Sequence, residues 1–391
     1  MSADNATVES VLDRAQRRTG LVDLDSDSWR EGLGVVLEQL ADDRVTAGGR
    51  SIVVRRAVDA LANRLRVHSY VTGHPELLDA PVVSPLFVLG MPRTGTTMAS
   101  HLLDQDPARR SLLNWEAVDS VPPPTTATLR SDPRCTKLIE EQRGLLEFLR
   151  TSGLGAPHWE FADEPTECMF VHEQDFKALV WDSWTPNSSY ARWLLDDADL
   201  TTAYVYQKRL LQVLQSQAPG AWTLKMPSHA VFLDALLTVF PDARFVWAHR
   251  DPFTATASLC NLQRMPARML LGDENVDADA IGVNCAMQAR EHVERPMAVR
   301  DRIGEDRFFD LYYTDLVRDP IGQMRALYDW AGDSFTPETE GRMQRWISDH
   351  PQHAHGVSHY SLEEYGLTTA ELEPAFDRYL ARFPVELDAK H

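Results

Sequence analysis

A glycine-rich loop that could bind a phosphate-like anion follows a strongly apolar stretch of the chain. Residues 86–89 are typical of a buried strand, and residues 90–97 then read G-x-x-x-x-G-T-T. Such a loop before a helix presents backbone N–H groups to an anion, and the helix dipole adds positive charge at the same point. A nucleoside triphosphatase would carry lysine where this chain has Thr96. The charge must therefore come from another residue, and Arg93 within the loop is a candidate.

A second pair of anion-binding candidates follows another apolar stretch. The sequence ARFVWAH, residues 243–249, predicts a strand that ends at Arg250, and the helix after it carries Ser258. An arginine at a strand end can clamp a phosphate, and a serine hydroxyl one or two turns into the next helix can donate to it. Arg250 and Asp251 could equally form a surface ion pair, so this motif alone leaves two interpretations open.

Three motifs in this order, PLFVLGMPRTGTT, WTLKMPSH and PDARFVWAHRDPFTATAS, resemble the bacterial branch of the sulfotransferases that use 3′-phosphoadenosine 5′-phosphosulfate (PAPS). The resemblance covers roughly residues 85–385. It implies that Arg250 and Ser258 bind the 3′-phosphate, and that no metal ion takes part. The residues that it implies for the 5′-phosphosulfate are Arg93, Thr94, Gly95, Thr96 and Thr97.

One position in the first motif and the position directly after it differ from the animal members of that family. Arg93 stands where those members carry lysine, and Met98 stands where they carry a tryptophan that stacks on adenine. The resemblance therefore leaves the adenine contact unassigned.

Candidates for the catalytic groups follow from the chemistry of sulfuryl transfer, which resembles phosphoryl transfer in its dependence on positioning and charge stabilisation. The resemblance assigns the leaving-group contact to Lys225, at the end of the predicted strand AWTLKM, residues 221–226. Three residues remain open as the base that takes the proton of the acceptor. Glu167 is the first choice because it aligns with the acidic residue of bacterial relatives, and His229 and His158 follow.

The segment HWEFADEPTECMF, which contains Glu167, predicts a helix over residues 164–181. In such a helix Asp163 and Glu164 would lie on the face of Glu167 and form a cluster of carboxylates. A carboxylate in an apolar cleft has a raised pKa and can act as a base near neutral pH.

Aromatic residues are concentrated between Trp159 and Trp193, which favours a lipophilic alcohol or phenol as acceptor, although core packing explains such residues as well. His353, His355 and His359 show no compact metal-ligand spacing. The resemblance instead places this histidine segment near the 3′-phosphate.

The elements that must position these residues alternate as strand, loop and helix, which predicts an α/β fold with a P-loop-like parallel sheet flanked by helices. A fourth strand is predicted at DRFFDLYY, residues 306–313. Ligands of such sheets bind beyond the carboxyl ends of the strands, where Gly90, Lys225 and Arg250 all fall. We predict a helical N-terminal extension over residues 1–80 and the α/β domain over residues 81–391.

Composition excludes several classes of protein. A net charge of -19 over 391 residues opposes a broad nucleic-acid-binding surface. No apolar stretch approaches the length of a membrane span and no secretory signal is visible, which predicts a cytoplasmic location. The four cysteines lack a C-x-x-C motif and are predicted to be reduced and buried; they are Cys135, Cys168, Cys260 and Cys285.

Two other functions remain open at this point. A Mg²⁺-dependent nucleotide kinase or NTPase with a degenerate phosphate loop would need an aspartate that holds the metal at the end of a second apolar strand, and no convincing candidate is found. A non-catalytic nucleotide-binding protein would keep Arg250 and Ser258 but would need no base. The sequence does not predict the oligomeric state.

Overall fold

The structure is a computed structural model that describes residues 6–151, 160–185, 188–351 and 361–388. Its sheet has five parallel strands in the order β2-β3-β1-β4-β5. The strands are β1 (Leu86–Gly90), β2 (Arg109–Ser111), β3 (Ala221–Lys225), β4 (Arg244–His249) and β5 (Phe308–Tyr312). The α-helices are α1 (Val8–Thr19), α2 (Trp29–Gln39), α3 (Ala47–Gly73), α4 (Thr96–Leu103), α5 (Asn114–Val118), α6 (Pro133–Thr151), α7 (Met169–His172), α8 (Ser189–Asp196), α9 (Thr201–Gln215), α10 (Leu233–Val239), α11 (Pro252–Leu271), α12 (Ala278–Ile303), α13 (Tyr313–Arg318), α14 (Pro320–Ala331), α15 (Pro337–Asp349) and α16 (Thr369–Arg382).

The central strand β1 is buried along its whole length because helices cover both faces of the sheet. Val88 pairs with Lys225 on one side and with Val246 on the other, and Gly90 pairs with Ala248. The carboxyl ends of β1, β3 and β4 therefore meet at one edge of the sheet. This confirms the predicted α/β fold, including the strand predicted at residues 306–313.

Strand β2 was not predicted. Its three residues, with the sequence RRS, contain no apolar run, and they pair with the start of β3 at the edge of the sheet. A strand this short and polar carries none of the periodicity that identifies strands in a sequence.

The N-terminal helices α1, α2 and α3 pack against the α/β domain and share one continuous core with it. Within this contact Arg64 is buried, with its Nε 2.8 Å from Asp25 Oδ1 and its Nη1 2.7 Å from Asp175 Oδ1. The helical extension is therefore present as predicted, while a domain boundary at residue 80 stays a prediction.

The predicted helix over residues 164–181 is wrong. Pro165 and Glu167 lie in extended backbone, where Pro165 bridges Leu113 and Glu167 bridges Lys225, and α7 spans Met169–His172. The backbone N–H of Cys168, which such a helix would bond to the carbonyl of Glu164, is bonded instead to the carbonyl of Lys225 at 2.8 Å. Asp163 and Glu164 therefore do not share a helical face with Glu167.

Most aromatic side chains of residues 159–193 that the structure describes are core residues. Phe176, Trp181 and Tyr190 are fully buried, the first two rings stack at 5.1 Å, and the Tyr190 hydroxyl donates to the Phe176 carbonyl at 2.8 Å. Packing thus accounts for these three residues, whereas Phe161 and Phe170 are half-buried.

All four cysteines are free and buried, as predicted. Across the described ranges, none of the helices has the length and apolar composition needed to cross a membrane.

Candidate active site

The loop between β1 and α4 depends on two glycines with positive φ. Gly90 has φ 142°, and a Cβ there would lie 2.5 Å from the carbonyl oxygen of Ala248. Gly95 has φ 93° and immediately precedes α4, and a Cβ there would lie 2.9 Å from Tyr313 Cδ2. Side chains at these positions would collide with neighbouring residues, so glycine is what allows the loop to curl over the end of the sheet.

The loop side chains have different surroundings. Thr94 is buried and its hydroxyl donates to the carbonyl of Met91 at 2.7 Å, so it closes the loop. Thr96 is also buried, whereas Thr97 is half-buried and Arg93 is exposed. Arg93 has φ 71°, which is uncommon for a residue with a Cβ and is consistent with a functional constraint.

Three predicted anion-binding residues from distant parts of the sequence contact one another. Arg93 Nε donates to Ser258 Oγ at 3.2 Å, and Arg250 Nη1 donates to the carbonyl oxygen of Arg93 at 3.0 Å. Arg250 lies over the ring of Tyr313 at 4.3 Å, and its buried Nε has no hydrogen-bond partner among the residues that the structure describes. Two guanidinium groups and a hydroxyl therefore converge beside a loop and a helix N-terminus, which is a favourable arrangement for an anion.

Lys225 forms a buried cluster with two glutamates. Its side chain is 1% exposed, and its Nζ lies 2.9 Å from Glu160 Oε1 and 3.0 Å from Glu167 Oε1. The second oxygen of Glu160 accepts from the hydroxyl of Thr166 at 2.8 Å. Lys225 is the last residue of β3, which pairs with β1, so this cluster lies at the same end of the sheet as the loop.

The cluster separates the pKa values of the two carboxyl groups. Burial raises the pKa of Glu167, and the charge of Glu160 adds to this effect against the opposing charges of Lys225 and Arg93. Burial also acts on Glu160, but the charge and hydrogen bond of Lys225 outweigh it and lower that pKa. The pKa of Lys225 is raised because the two carboxylates outweigh the effect of burial. Lys225 therefore stays charged, and Glu167 is the more readily protonated carboxylate.

His229 lies in the core, away from solvent. It is fully buried, its Nδ1 is hydrogen-bonded to the Tyr204 hydroxyl at 2.8 Å, and its ring packs edge-on against Phe87 at 4.8 Å. Burial holds the pKa of His229 well below its usual value, so the ring is neutral. This placement favours Glu167 over His229 as the base. His158 and the histidines of residues 353–359 lie outside the described residues.

Glu160 was not predicted as a partner of Lys225. Both glutamates that hold Lys225 belong to the acidic segment that contains Glu167. A buried lysine must be paired, and this requirement is a signal that could have pointed to a second carboxylate.

In the part of the chain that the structure describes, no group of three or more histidine, cysteine, aspartate or glutamate residues is placed to hold a metal ion. The residues that could hold a charged cofactor are instead donors to an anion. They are the loop N–H groups, Arg93, Thr97, Arg250 and Ser258.

The known proteins that this chain resembles are sulfotransferases. A family model described as the sulfotransferase family matches residues 85–337. The omega-hydroxy-beta-dihydromenaquinone-9 sulfotransferase Stf3, from Mycobacterium bovis and from Mycobacterium tuberculosis, is 23% identical over 303 residues, which cover 75% of this chain and 74% of the relative.

Two solved structures resemble the whole fold. The sulfotransferase STF9 from Mycobacterium avium is 52% identical, with a TM-score of 0.95 and coverage of 99% of both chains. The sulfotransferase STF1 from Mycobacterium tuberculosis H37Rv is 30% identical, with a TM-score of 0.81 and coverage of 96% of this chain and 99% of that structure.

Proposed function

Because this chain belongs to the sulfotransferase family, we propose that it transfers the sulfuryl group of PAPS to a hydroxyl of a lipophilic small molecule. The observation that carries the proposal is the convergence of Arg93, Arg250 and Ser258 beside the glycine loop. Family membership favours this function over the nucleotide kinase and the non-catalytic binding protein that the sequence left open.

The residues at the proposed donor site fit the phosphate groups of PAPS. Gly90 and Gly95 allow the loop to pack against Ala248 and Tyr313, where a Cβ would collide, so that the loop can present its backbone N–H groups to an anion at the end of the sheet. The unpartnered Nε of Arg250 is a buried donor that a phosphate oxygen could satisfy. We therefore place the 5′-phosphosulfate at the loop and the 3′-phosphate between Arg250 and Ser258.

PAPS supplies the sulfuryl group when it is bound, and adenosine 3′,5′-bisphosphate is its remaining part. A bond then forms between the acceptor oxygen and sulfur while the bond between sulfur and the 5′-phosphate oxygen breaks. Lys225 stays charged in its buried cluster, and we propose that it neutralises the charge that develops on the departing oxygen.

Glu167 is the proposed base that takes the hydroxyl proton of the acceptor. Its side chain is 20% exposed, so an acceptor can reach it, while Glu160 is held by both Lys225 and Thr166. The two carboxylates thus have different roles. Glu160 keeps a negative charge beside Lys225, and Glu167 can exchange a proton.

A lipophilic acceptor is supported by the surroundings of Glu167 and by one relative. Phe161, Met169 and Phe170 are half-buried and close to Glu167 in the sequence. The curated relative Stf3 is named for a hydroxylated menaquinone. We propose that the acceptor is an alcohol with a long apolar chain, such as a hydroxylated isoprenoid quinone. A cytoplasmic location and the absence of nucleic-acid binding stay predictions.

The donor proposal is tested by thermal unfolding with adenosine 3′,5′-bisphosphate, compared with ATP in the presence and absence of Mg²⁺. A ligand that binds only the folded state, at a hundred times its dissociation constant, adds about 2.7 kcal/mol to the free energy of unfolding. We expect stabilisation by the bisphosphate without a metal ion. Stabilisation by Mg²⁺-ATP alone would contradict the proposal and favour a kinase.

The rate of transfer is expected to depend on pH through Glu167. A base must be ionised, and burial raises the pKa of Glu167 above its ordinary value of 4.5. The value of kcat/KM should therefore fall as the pH decreases through this raised pKa, above the range in which an exposed glutamate titrates. The measurement is kcat/KM against pH, with circular dichroism at each pH to show that the protein remains folded. A rate that stays constant down to the ordinary pKa would exclude Glu167 as the base.

A further inference from the structure

The residue before Arg250 is hydrogen-bonded at both of its ring nitrogens. His249 is fully buried, with its Nε2 2.9 Å from Asp310 Oδ1 and its Nδ1 3.0 Å from the Tyr379 hydroxyl. The pKa of His249 is lowered by burial, so the ring is neutral. Because an ionised carboxylate only accepts, Nε2 carries the hydrogen and Nδ1 accepts from the tyrosine.

These contacts belong to a longer chain of polar groups. Arg300 donates to both oxygens of Asp310, at 2.6 Å and 2.9 Å. Burial opposes ionisation of Asp310, but the hydrogen bonds from His249 and Arg300 outweigh it and lower the pKa to about 2. At the other end, burial raises the pKa of the Tyr379 phenol. The chain of contacts therefore runs from Arg300 through Asp310 and His249 to Tyr379, and His249 is the residue before the arginine proposed to bind the 3′-phosphate.

Aromatic rings fix the orientation of His249 within this chain. The ring of Phe383, immediately after α16, stacks on His249 with 4.3 Å between the centroids, and Tyr312 stacks at 5.1 Å. Turning this ring out of its plane would lose both stacking contacts and both hydrogen bonds.

The segment after Phe383 holds the residue on the other side of Arg250. The backbone N–H of Asp388 donates to Asp251 Oδ2 at 2.9 Å. The other oxygen of Asp251 caps α11 by accepting from the backbone N–H of Phe253 at 2.9 Å. Helix α11 carries Ser258, so the C-terminal segment contacts both elements that form the proposed 3′-phosphate site.

We propose that α16 and the segment up to Asp388 contribute to binding of the 3′-phosphate. In this proposal Tyr379 is a positioning residue for Arg250. The inference rests on the function proposed above, because it takes Arg250 and Ser258 as the residues that bind this phosphate. Tyr379 fixes the backbone from which the Arg250 side chain extends, and it acts through His249 rather than by touching the nucleotide. Helix α16 lies beyond residue 337, where the match to the family model ends.

The test compares two nucleotides that differ only in the 3′-phosphate. Tyr379→Phe removes the hydroxyl and keeps the ring. Calorimetric titration should show that this variant binds adenosine 3′,5′-bisphosphate about tenfold more weakly, because a buried hydrogen bond is lost at the site. Its affinity for adenosine 5′-monophosphate should stay within about twofold of wild type, because this ligand makes no contact with Arg250 through a 3′-phosphate.

Tyr328→Phe is the matched control. Tyr328 is also buried, and its hydroxyl donates to Asp106 Oδ2 at 2.7 Å, in contacts that involve none of the proposed 3′-phosphate residues. We expect this variant to lower the melting temperature and to leave both affinities unchanged. If it weakens bisphosphate binding as selectively as Tyr379→Phe does, the effect is a general loss of rigidity and the inference is overturned.

The remaining outcomes separate this inference from the proposed function. If the wild-type protein does not prefer the bisphosphate over the monophosphate, the donor proposal fails and the inference fails with it. If the wild type has this preference and Tyr379→Phe keeps it, only the role of Tyr379 is overturned. Should Tyr379→Phe not fold, Phe383→Leu removes the ring stacked on His249, and an unchanged preference in that variant also overturns the inference.

Discussion

Replacing Lys225 by methionine is expected to reduce sulfuryl transfer by at least about a hundredfold, the usual cost of removing one group that stabilises a developing negative charge. Methionine occupies a similar volume but carries no charge, so nothing in the cluster would neutralise the departing oxygen. The measurement is the rate at which radiolabelled sulfate passes from PAPS to a long-chain hydroxylated quinone, together with the affinity for adenosine 3′,5′-bisphosphate.

The same substitution leaves the carboxylates of Glu160 and Glu167, both largely shielded from solvent, without their partner, so a loss of stability must be separated from a loss of chemistry. Lys177→Met is the matched control. Lys177 is buried, with its Nζ 3.3 Å from Asp175 Oδ2 and 2.6 Å from the Thr202 hydroxyl. We expect both variants to have a lower melting temperature, but only Lys225→Met to lose turnover per folded molecule. Equal losses of turnover in the two variants would remove the special role of Lys225.

Replacing Glu167 by glutamine is expected to lower kcat by about 10²–10⁴-fold, the range typical of a general base. The glutamine oxygen can still accept from Lys225, so the geometry of the cluster is kept while the ability to take a proton is lost. Binding of adenosine 3′,5′-bisphosphate should change little, because the proposed nucleotide contacts are made by other residues. Steady-state kinetics at saturating donor and calorimetric titration measure the two effects.

Glu173→Gln provides the control for this substitution. Glu173 is a buried carboxyl group whose pKa is also raised by burial, and its Oε2 lies 2.6 Å from Arg56 Nη2. It contacts an N-terminal helix rather than the loop, so we expect turnover to be retained. Retained turnover in Glu167→Gln would instead remove Glu167 from the reaction, and the proton acceptor would have to be sought elsewhere.

The parts of the fold that the sequence predicted are those with local signals. Strands β1, β3 and β4 are continuous apolar runs that end in glycine, lysine and histidine, and each is followed by a loop and a helix. Gly90 and Gly95 also indicate the loop in the sequence, and in the structure both have positive φ. Arg93 and Ser258, 165 positions apart, were assigned to one donor site by the family resemblance rather than by any local pattern.

The parts that were not predicted depend on contacts between distant residues. Glu167 is extended because it pairs with Lys225, 58 positions away, and helical periodicity in its own segment gave the opposite expectation. Similarly, apolar rings such as Trp181 are typical of a pocket and of a core alike, and the tertiary packing alone assigns this residue to the core.

The burial of Lys225 also determines how the protein reacts with amine-modifying reagents. Acylating reagents attack an accessible, neutral amine, whereas the Lys225 side chain is 1% exposed and its pKa is raised by two carboxylates. The side chain of Lys137, on α6, is 77% exposed. Fluorescent dyes and solid supports that react with amines would therefore attach at positions such as Lys137 and spare Lys225, the residue proposed to stabilise the departing oxygen.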